Sequence, residues 1–205
     1  MIKASAQSTR ADTKGQLVNA ALTALKTEGF AGATSRAIAR IGGFNQALIF
    51  YHFGSVDGLL LAALDATSEA RMTRYREALA RAVTPADFVG LATEIYREDR
   101  DSGHVTVVAQ MIAGSLARRD LAPEVLSRME PWIDFCEEAL RKFLAGSSLA
   151  AIAPFRDLAY AFATFYLGIN LLAHLDEGGE RTDALFAHAA ELAPLLSSVL
   201  AEGER

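Results

Sequence analysis

The 205-residue chain has a single cysteine, Cys136, and no apolar run long enough to cross a bilayer comfortably. One cysteine excludes an internal disulfide and is typical of a reducing compartment. The first twelve residues lack the apolar core of a secretory signal, and the most apolar stretch, 158–173, is too short for a membrane span. We therefore expect a cytoplasmic protein with no membrane partner.

Motifs for catalysis, metal binding and phosphate binding are also missing from the sequence. There is no glycine-rich phosphate loop, no Gly-x-Ser-x-Gly elbow and no His-Glu-x-x-His helix. Two groups could act as acid–base pairs or metal ligands, but solvated helix ends explain them adequately: His104 with Asp99 and Asp101, and His174 with Asp176 and Glu177. We predict no catalytic residue, no metal ion and no cofactor.

The sequence does contain helical periodicity. Hydrophobic residues make up 51% of the chain and recur every three or four positions, whereas β-branched runs are few. Capping and breaker residues divide this pattern into segments and predict an all-α fold. The predicted helices span about 11–28, 35–42, 45–53, 55–82, 85–97, 104–119, 123–144, 154–176 and 182–201.

Charge divides the chain into two parts. Residues 1–53 contain six Lys and Arg against two Asp and Glu, a net charge of +4, whereas the remainder carries −9 of the total of −5. A basic part beside an acidic one is expected when only the first faces phosphate. We predict an N-terminal DNA-binding domain, residues 1–53, and a larger C-terminal helical domain, residues 54–205, joined by the long helix 55–82.

A helix-turn-helix is predicted between Thr34 and Phe53. Thr34 is a good N-cap, the glycine pair 42–43 ends the first helix, and Asn45 can cap a second. In that second helix, Ile49 and Phe53 lie one turn apart and can share a buried face. The remaining faces are then available, and such a helix can enter a major groove.

The side chains on those faces suit DNA. Gln46 can form a bidentate hydrogen bond with adenine, and Ala47 and Leu48 can contact a thymine methyl group. Polar side chains that could bond phosphate oxygens are Thr34, Ser35, Arg36, Tyr51 and His52. From spacing alone, a helical hairpin with core aromatic residues explains the same stretch, so both interpretations stay open.

The sequence resembles the N-terminal domain of the TetR family of one-component transcriptional regulators. The similarity covers about the first 64 residues and is carried by 16–30, 34–39, 42–53 with its Tyr51-His52-Phe53 ending, and 59–64. It implies a homodimer that binds a pseudo-palindromic DNA operator and is released when the C-terminal domain binds a small ligand. By position, it implies base contacts for Gln46, Ala47 and Leu48, and backbone contacts for Thr34, Ser35, Arg36, Phe50, Tyr51 and His52. The predicted cap Asn45 completes the DNA-binding set.

Two positions depart from the family pattern. Phe50 stands where the family commonly has a tyrosine, so its ring cannot bond phosphate. Val56 stands where a lysine is common, which removes a cationic contact and implies a shallower salt dependence of DNA binding. Arg10, Lys14 and Arg40 are candidates for replacing that charge.

The C-terminal domain is predicted to hold an effector. Aromatic and amphipathic side chains with a few polar groups suit an apolar or aromatic small molecule. The candidate ligand-binding residues are Tyr96, Gln110, Met111, Trp132, Phe135, Phe165, Tyr166 and Asn170.

The last two helices are predicted to form a homodimer interface. Residues 158–173 are apolar on almost every face, which favours a four-helix seam between two copies over a core helix of a monomer. The last helix offers further apolar side chains for that seam, namely Leu185, Phe186, Ala189, Leu192, Leu196 and Val199. We predict a homodimeric repressor; a helical small-molecule carrier without a DNA role is the alternative.

Overall fold

Helices account for all the regular structure of the described chain. The computed structural model describes the backbone at residues 2–176 and 179–202, and the side chains at residues 12–69, 71–176 and 179–195. Within these residues there are nine α-helices, a short 3-10 helix at Ser148–Ala151 and no strand. The α-helices are α1 Ile2–Gly32, α2 Ser35–Gly42, α3 Ala47–Phe53, α4 Val56–Arg81, α5 Pro85–Ser102, α6 His104–Ala117, α7 Ala122–Phe143, α8 Phe155–Ala173 and α9 Glu180–Glu202. The predicted all-α fold class is confirmed.

Two helices are longer than the sequence predicted. α1 begins at Ile2 rather than near residue 11, and it is broken by a non-helical glycine, Gly29, whose φ is 69°. α5 continues to Ser102, five residues past its predicted end, and stops where Gly103 adopts a left-handed conformation with φ 67°. No glycine or proline lies between 97 and 103, so the helix continues until the glycine offers a cap.

The chain forms two compact units. The first comprises the chain up to Glu69 together with Thr106–Arg128, and the second comprises Ala70–Val105 together with the chain from Met129 onward. The chain therefore passes from one unit to the other three times, within α4, α6 and α7. The predicted division after residue 53 stays a prediction about functional domains.

The first unit contains the helix-turn-helix. Its fully buried side chains come from α1 to α4 and from α6: Leu17, Leu25, Ile38, Ile49, Leu59, Leu60, Leu64, Val107 and Met111. On α1, Leu17, Ala21 and Leu25 recur at four residues, as do Val107 and Met111 on α6, and this spacing is the apolar stripe that helix packing requires. The core of this unit thus includes a segment that follows the helix-turn-helix by more than fifty residues.

The second unit has an aromatic core. Its cluster joins α4, α5, α7 and α8 through Met72, Tyr75, Leu79, Leu91, Ile95, Trp132, Ile133, Phe135, Cys136 and Ala159. Burial raises the pKa of the Cys136 thiol to about 11. The thiol is therefore protonated at neutral pH and packs as a small apolar group.

Among the described helices, none alone combines the length and the apolar composition that a membrane crossing needs. The bent pair α3 and α4 meets those two criteria jointly, and by length and composition only.

Candidate functional site

The turn between α2 and α3 is fixed by local hydrogen bonds. The Thr34 hydroxyl accepts a bond from the Ala37 amide at 3.2 Å and caps α2, as predicted. At the other end, Gly43 has φ 68°, which an L side chain rarely adopts, and the Phe44 amide donates to the Ala39 carbonyl at 3.1 Å. These contacts involve only residues close in the chain, which is why the sequence predicts them.

Gly42 is required by close packing. A Cβ atom built on Gly42 would lie 2.1 Å from Cε1 of Phe44 and 2.9 Å from the Cβ of Ala20 on α1. The Phe44 ring thus covers the backbone of α2, and α1 approaches it directly. The two neighbouring glycines have separate roles. Gly42 permits the close approach of Phe44 and α1, and Gly43 permits the turn.

The side chain of Asn45 caps the start of α3. Its Oδ1 accepts a hydrogen bond from the Ala47 amide at 2.9 Å. Gln46, predicted inside the helix, is the residue that precedes it, although its φ of −54° and ψ of −26° are already helical. Its exposed side chain lies beside that of Ser35, with the Ser35 hydroxyl donating to Oε1 of Gln46 at 3.4 Å.

One side of α3 is exposed. Ile49 is fully buried, whereas Tyr51 is 69% and Phe50 is 50% exposed. Together with the exposed Gln46 and Ala47, these residues form what we call the exposed α3 face: Gln46, Ala47, Phe50 and Tyr51. Exposed aromatic rings are unusual on a helix of this length and indicate a surface that meets a partner.

Two predicted contacts on α3 are less exposed. Leu48 and His52 are half-buried. The imidazole of His52 lies edge-on to Tyr51, with ring centroids 4.9 Å apart, and its Nδ1 is buried without a hydrogen-bond partner. Phe53, predicted to share the face of Ile49, is also half-buried.

The cations near the helix-turn-helix differ in their surroundings. Arg36 is exposed at the start of α2, whereas Arg40 forms an ion pair with Glu28. The Lys14 ammonium lies 5.8 Å from the centre of the Phe53 ring. The side chain of Arg10 falls outside the described residues. Lys14 is thus the better placed replacement for the cation that Val56 lacks, because its ammonium lies beside the Phe53 ring of α3 whereas Arg40 is paired with Glu28.

The interior of the second unit contains a buried carboxylate. Asp99 accepts hydrogen bonds from the Arg71 guanidinium at 3.1 Å, from the Tyr75 hydroxyl at 3.3 Å and from the Tyr166 hydroxyl at 2.7 Å. Burial raises the pKa of Asp99 above its ordinary value, and the hydrogen bond from Tyr166 and the charge of Arg71 oppose that rise. Burial and the charge of Asp99 also raise the pKa of Tyr166, which keeps its hydroxyl a donor.

Aromatic rings stack beside this carboxylate. The Trp132 ring lies between His104, at a centroid distance of 5.9 Å, and Tyr166, at 6.3 Å, with nearly parallel planes. Phe135 packs against Trp132 edge-on at 6.2 Å. Three of the predicted effector residues, Trp132, Phe135 and Tyr166, therefore lie together in this stack.

The other predicted effector residues lie outside this ring stack. Tyr96 packs on Phe186 with ring centroids 5.0 Å apart, and Asn170 donates to the backbone carbonyl of Tyr166 at 2.9 Å. Phe165 is 60% exposed on α8. Gln110 and Met111 belong to the first unit, where Gln110 accepts a hydrogen bond from the Phe30 amide and Met111 is fully buried.

The sequence underestimated the burial at the end of α5. Asp99 and His104 were expected at solvated helix ends, and this expectation is wrong because both are buried in the core. The missed signal was spacing: Leu91, Ile95 and Asp99 follow each other at four residues, which places the carboxylate on the apolar stripe. Among the described residues, no three His, Cys, Asp or Glu side chains gather in a group that could hold a metal ion.

A separate groove of about 720 Å³ opens on the surface of the second unit. Its lining is charged with both signs, and the Arg74 guanidinium pairs there with Glu98. The lining residues are Arg74, Gly90, Glu94, Arg97, Glu98, Asp101 and Ser102. None of the predicted effector residues lines this groove.

Comparison with known proteins identifies the N-terminal region. A profile of the bacterial regulatory proteins of the tetR family matches residues 17–63, the segment that contains the helix-turn-helix. No curated protein sequence gives a significant match to the chain.

Solved structures share the fold over most of the chain. The fatty acid degradation regulator FadR from Bacillus halodurans has a TM-score of 0.72 at 12% identity, covering 88% of this chain and 93% of its own. FadR from Bacillus subtilis, in complex with stearoyl-CoA, has a TM-score of 0.67 at 12% identity, with 87% and 96% covered. A proposed TetR-family transcriptional regulator from Rhodococcus sp. has a TM-score of 0.73 at 18% identity, with 89% and 98% covered.

We expect Gly42→Ala to lower the free energy of unfolding by about 1–3 kcal/mol, because the new methyl group overpacks the contact with Phe44 and Ala20. Gly90→Ala is the matched control. Gly90 lies exposed within α5 with no atom within 4 Å of a built Cβ, so alanine there is expected to raise stability by up to about 1 kcal/mol. Urea unfolding of both variants measures the difference, and equal stability of the two would contradict the packing of the turn.

Proposed function

We propose that the chain, whose residues 17–63 match the tetR family of bacterial regulatory proteins, is a ligand-responsive repressor that binds a pseudo-palindromic operator as a homodimer. The exposed α3 face carries this proposal. It combines an amide that can read adenine with aromatic and small side chains, on a helix that follows a rigid glycine turn. The helical first unit presents these groups at its surface, where a major groove can receive them.

Within this proposal, base reading and backbone binding fall to different residues. Gln46, Ala47 and Leu48 contact bases, while Thr34, Ser35, Arg36, Asn45, Tyr51 and His52 lie toward phosphate. Phe50 contributes an apolar contact to the sugar-phosphate backbone, since it has no hydroxyl to donate. With Arg40 paired to Glu28, few cations remain for phosphate, which supports a shallow dependence of affinity on salt.

The proposed homodimer uses α8 and α9. In the single chain, large apolar side chains remain exposed on both helices: Leu158, Tyr160, Phe162, Phe165, Leu171, Leu172, Leu185, Leu192 and Leu195. Phe162, Phe165 and Leu172 recur along one side of α8 at three and seven residues, the spacing of a helical packing stripe. An apolar stripe of this kind is buried most simply against a second copy by a twofold axis. The side chains of Leu196 and Val199 lie outside the described residues.

The proposed effector site lies in the interior of the second unit, around the stack of Trp132, Phe135 and Tyr166. Flat rings with a few hydroxyl and amide groups suit an apolar or aromatic molecule. A molecule that inserts there must displace ring contacts next to Asp99, which Tyr75 and Arg71 on α4 also contact. Arg71 and Tyr75 belong to the second half of α4, so a ligand in the stack would act on that half of the helix.

We expect Gln46→Ala and Tyr51→Ala each to weaken operator binding about tenfold or more, because each removes contacts worth roughly 1–3 kcal/mol. Neither should change the dimer mass or the melting temperature, since both side chains are exposed. Tyr51→Phe is the control that removes only the hydroxyl. The operator is a fragment selected from random DNA by the ligand-free protein, which also reports half-sites about 34–36 Å apart. Unchanged gel shifts for both alanine variants would refute the assignment of α3.

We expect the double variant Phe162→Glu and Phe165→Glu to be monomeric, because four carboxylates would be buried in the proposed seam. The fold of each chain should survive, since both side chains are at least half exposed in the single chain. Leu116→Glu, a change at an 80% exposed position at the end of α6, is the control and should leave the mass unchanged. Sedimentation equilibrium measures the mass of both variants and distinguishes monomer from dimer. A dimeric double variant would place the interface elsewhere.

Trp132 is the only tryptophan of the chain, so its fluorescence reports on the proposed effector site. We expect an apolar or aromatic ligand to change Trp132 emission and to raise the melting temperature, and Tyr166→Ala to abolish both effects. Stearoyl-CoA, which is bound in a structurally similar regulator, belongs in the first panel. A ligand that releases operator DNA and acts equally on Tyr166→Ala would show that the site is misplaced.

A further inference from the structure

The end of α1 is held by a side chain from α6. At Gly29, φ 69° and ψ 178° turn the next peptide out of the helical ladder. The Phe30 amide donates instead to Oε1 of Gln110 at 2.9 Å, across 80 residues of sequence. A buried amide without an acceptor is costly, so the side chain of Gln110 stabilises the break in the helix.

The approach of Gln110 requires a glycine at position 29. A Cβ atom built there would lie 3.0 Å from Oε1 of Gln110, tighter than ordinary van der Waals contact. The positive φ alone would already disfavour another residue. Position 29 thus meets two demands at once, the left-handed turn and the space for the incoming amide group.

Phe30 provides a second contact with the same face of α6. Gly114 lies one helical turn after Gln110, and a Cβ atom there would be 2.4 Å from Cγ and Cδ2 of the Phe30 ring. The ring therefore rests directly on the backbone of α6. We call these two contacts the α1–α6 clasp: the hydrogen bond from Phe30 to Gln110 and the packing of Phe30 on Gly114.

Ion pairs hold the following segment to α4 within the same unit. Arg118 pairs with Asp57 at 2.8 Å, and Arg128 pairs with Asp65 at 2.9 Å. All four side chains are at least partly solvated, so these pairs contribute modestly to stability. They mainly fix how the segment lies along α4. Thr106–Arg128 is thus attached at the end of α1 by the clasp and along the first half of α4 by ion pairs.

The clasp lies immediately before the helix-turn-helix. Only four residues separate Phe30 from the start of α2 at Ser35, and they contain tight turns in which the Ala33 amide donates to the Gly29 carbonyl at 3.0 Å and the Thr34 amide to the Gly32 carbonyl at 2.7 Å. A rotation of the peptide at Gly29 would therefore be carried into the direction in which α2 leaves α1.

We propose that Gln110 is a positioning residue for DNA binding: the α1–α6 clasp sets the orientation of α2 and α3 that fits the major groove. This inference rests on the proposed function and deepens it, because it assigns α6 a hold on the end of α1, which leads into the DNA-reading helices. Gln110 acts through Phe30 and does not touch DNA. The sequence predicts Gln110 as a ligand-binding residue. In the structure its side-chain oxygen accepts a hydrogen bond from the Phe30 amide of the protein itself.

The test compares Gln110→Met, which keeps the length of the side chain and removes the acceptor, with Gln110→Glu, which keeps an acceptor oxygen. On the operator fragment selected by wild-type protein, Gln110→Met is expected to bind about tenfold more weakly, and Gln110→Glu to stay closer to the wild type. Hydrogen exchange of the Phe30 amide should be faster in Gln110→Met only. Gly114→Ala should mimic Gln110→Met, and Gly90→Ala should not.

Affinity is measured well below the melting temperature of each variant, so a loss of stability alone leaves it unchanged. Equal operator affinity in the wild type and Gln110→Met would overturn the proposal, as would equal losses in Gln110→Met and Gln110→Glu. If the wild type itself selects no DNA at low ionic strength, the proposed function fails and the positioning role fails with it. If the wild type selects DNA and Gln110→Met binds that DNA equally well, the positioning role alone is refuted.

Discussion

The second unit depends on one buried carboxylate. Asp99 lies in an aromatic core, where an unpaired charge would be prohibitively costly, so its donors must come to it. Arg71 and Tyr75 reach it from α4 and Tyr166 reaches it from α8, which fixes how these helices pack around α5. The ring of Trp132 then fills the space beside Tyr166 and brings in α7. Burial raises the pKa of Asp99, and this carboxyl lies beside the ring stack that we propose receives the effector.

In the first unit, the groups that must find hydrogen-bond partners are backbone amides and carbonyls rather than a buried charge. A helix that ends must find partners for its last amides and carbonyls, and here each break between helices is resolved by a specific contact. Thr34 and Asn45 cap α2 and α3 from within the turn, whereas the Phe30 amide donates to Gln110 of α6. A segment from the middle of the chain is therefore as much a part of this unit as α1 is.

The surfaces of the two units differ in chemistry, and this difference separates the proposed partners. The exposed α3 face carries an amide, a phenol and small apolar groups, a mixture that can follow base edges and sugars. α8 exposes leucine, tyrosine and phenylalanine side chains and α9 exposes leucines, and large apolar side chains of this kind suit an interface with protein.

The sequence by itself determined the helices and their caps. Thr34, Gly43, Asn45 and Gly103 act on neighbours within a few residues, so their roles follow from local chemistry and the helix-turn-helix could be predicted with its ends almost correct. Only the tertiary structure decided that Tyr166 meets Asp99 and that Gln110 supports the end of α1, because these partners lie 67 and 80 residues apart in the chain. Helical periodicity records which face of a helix is apolar, but it does not record which helix covers that face.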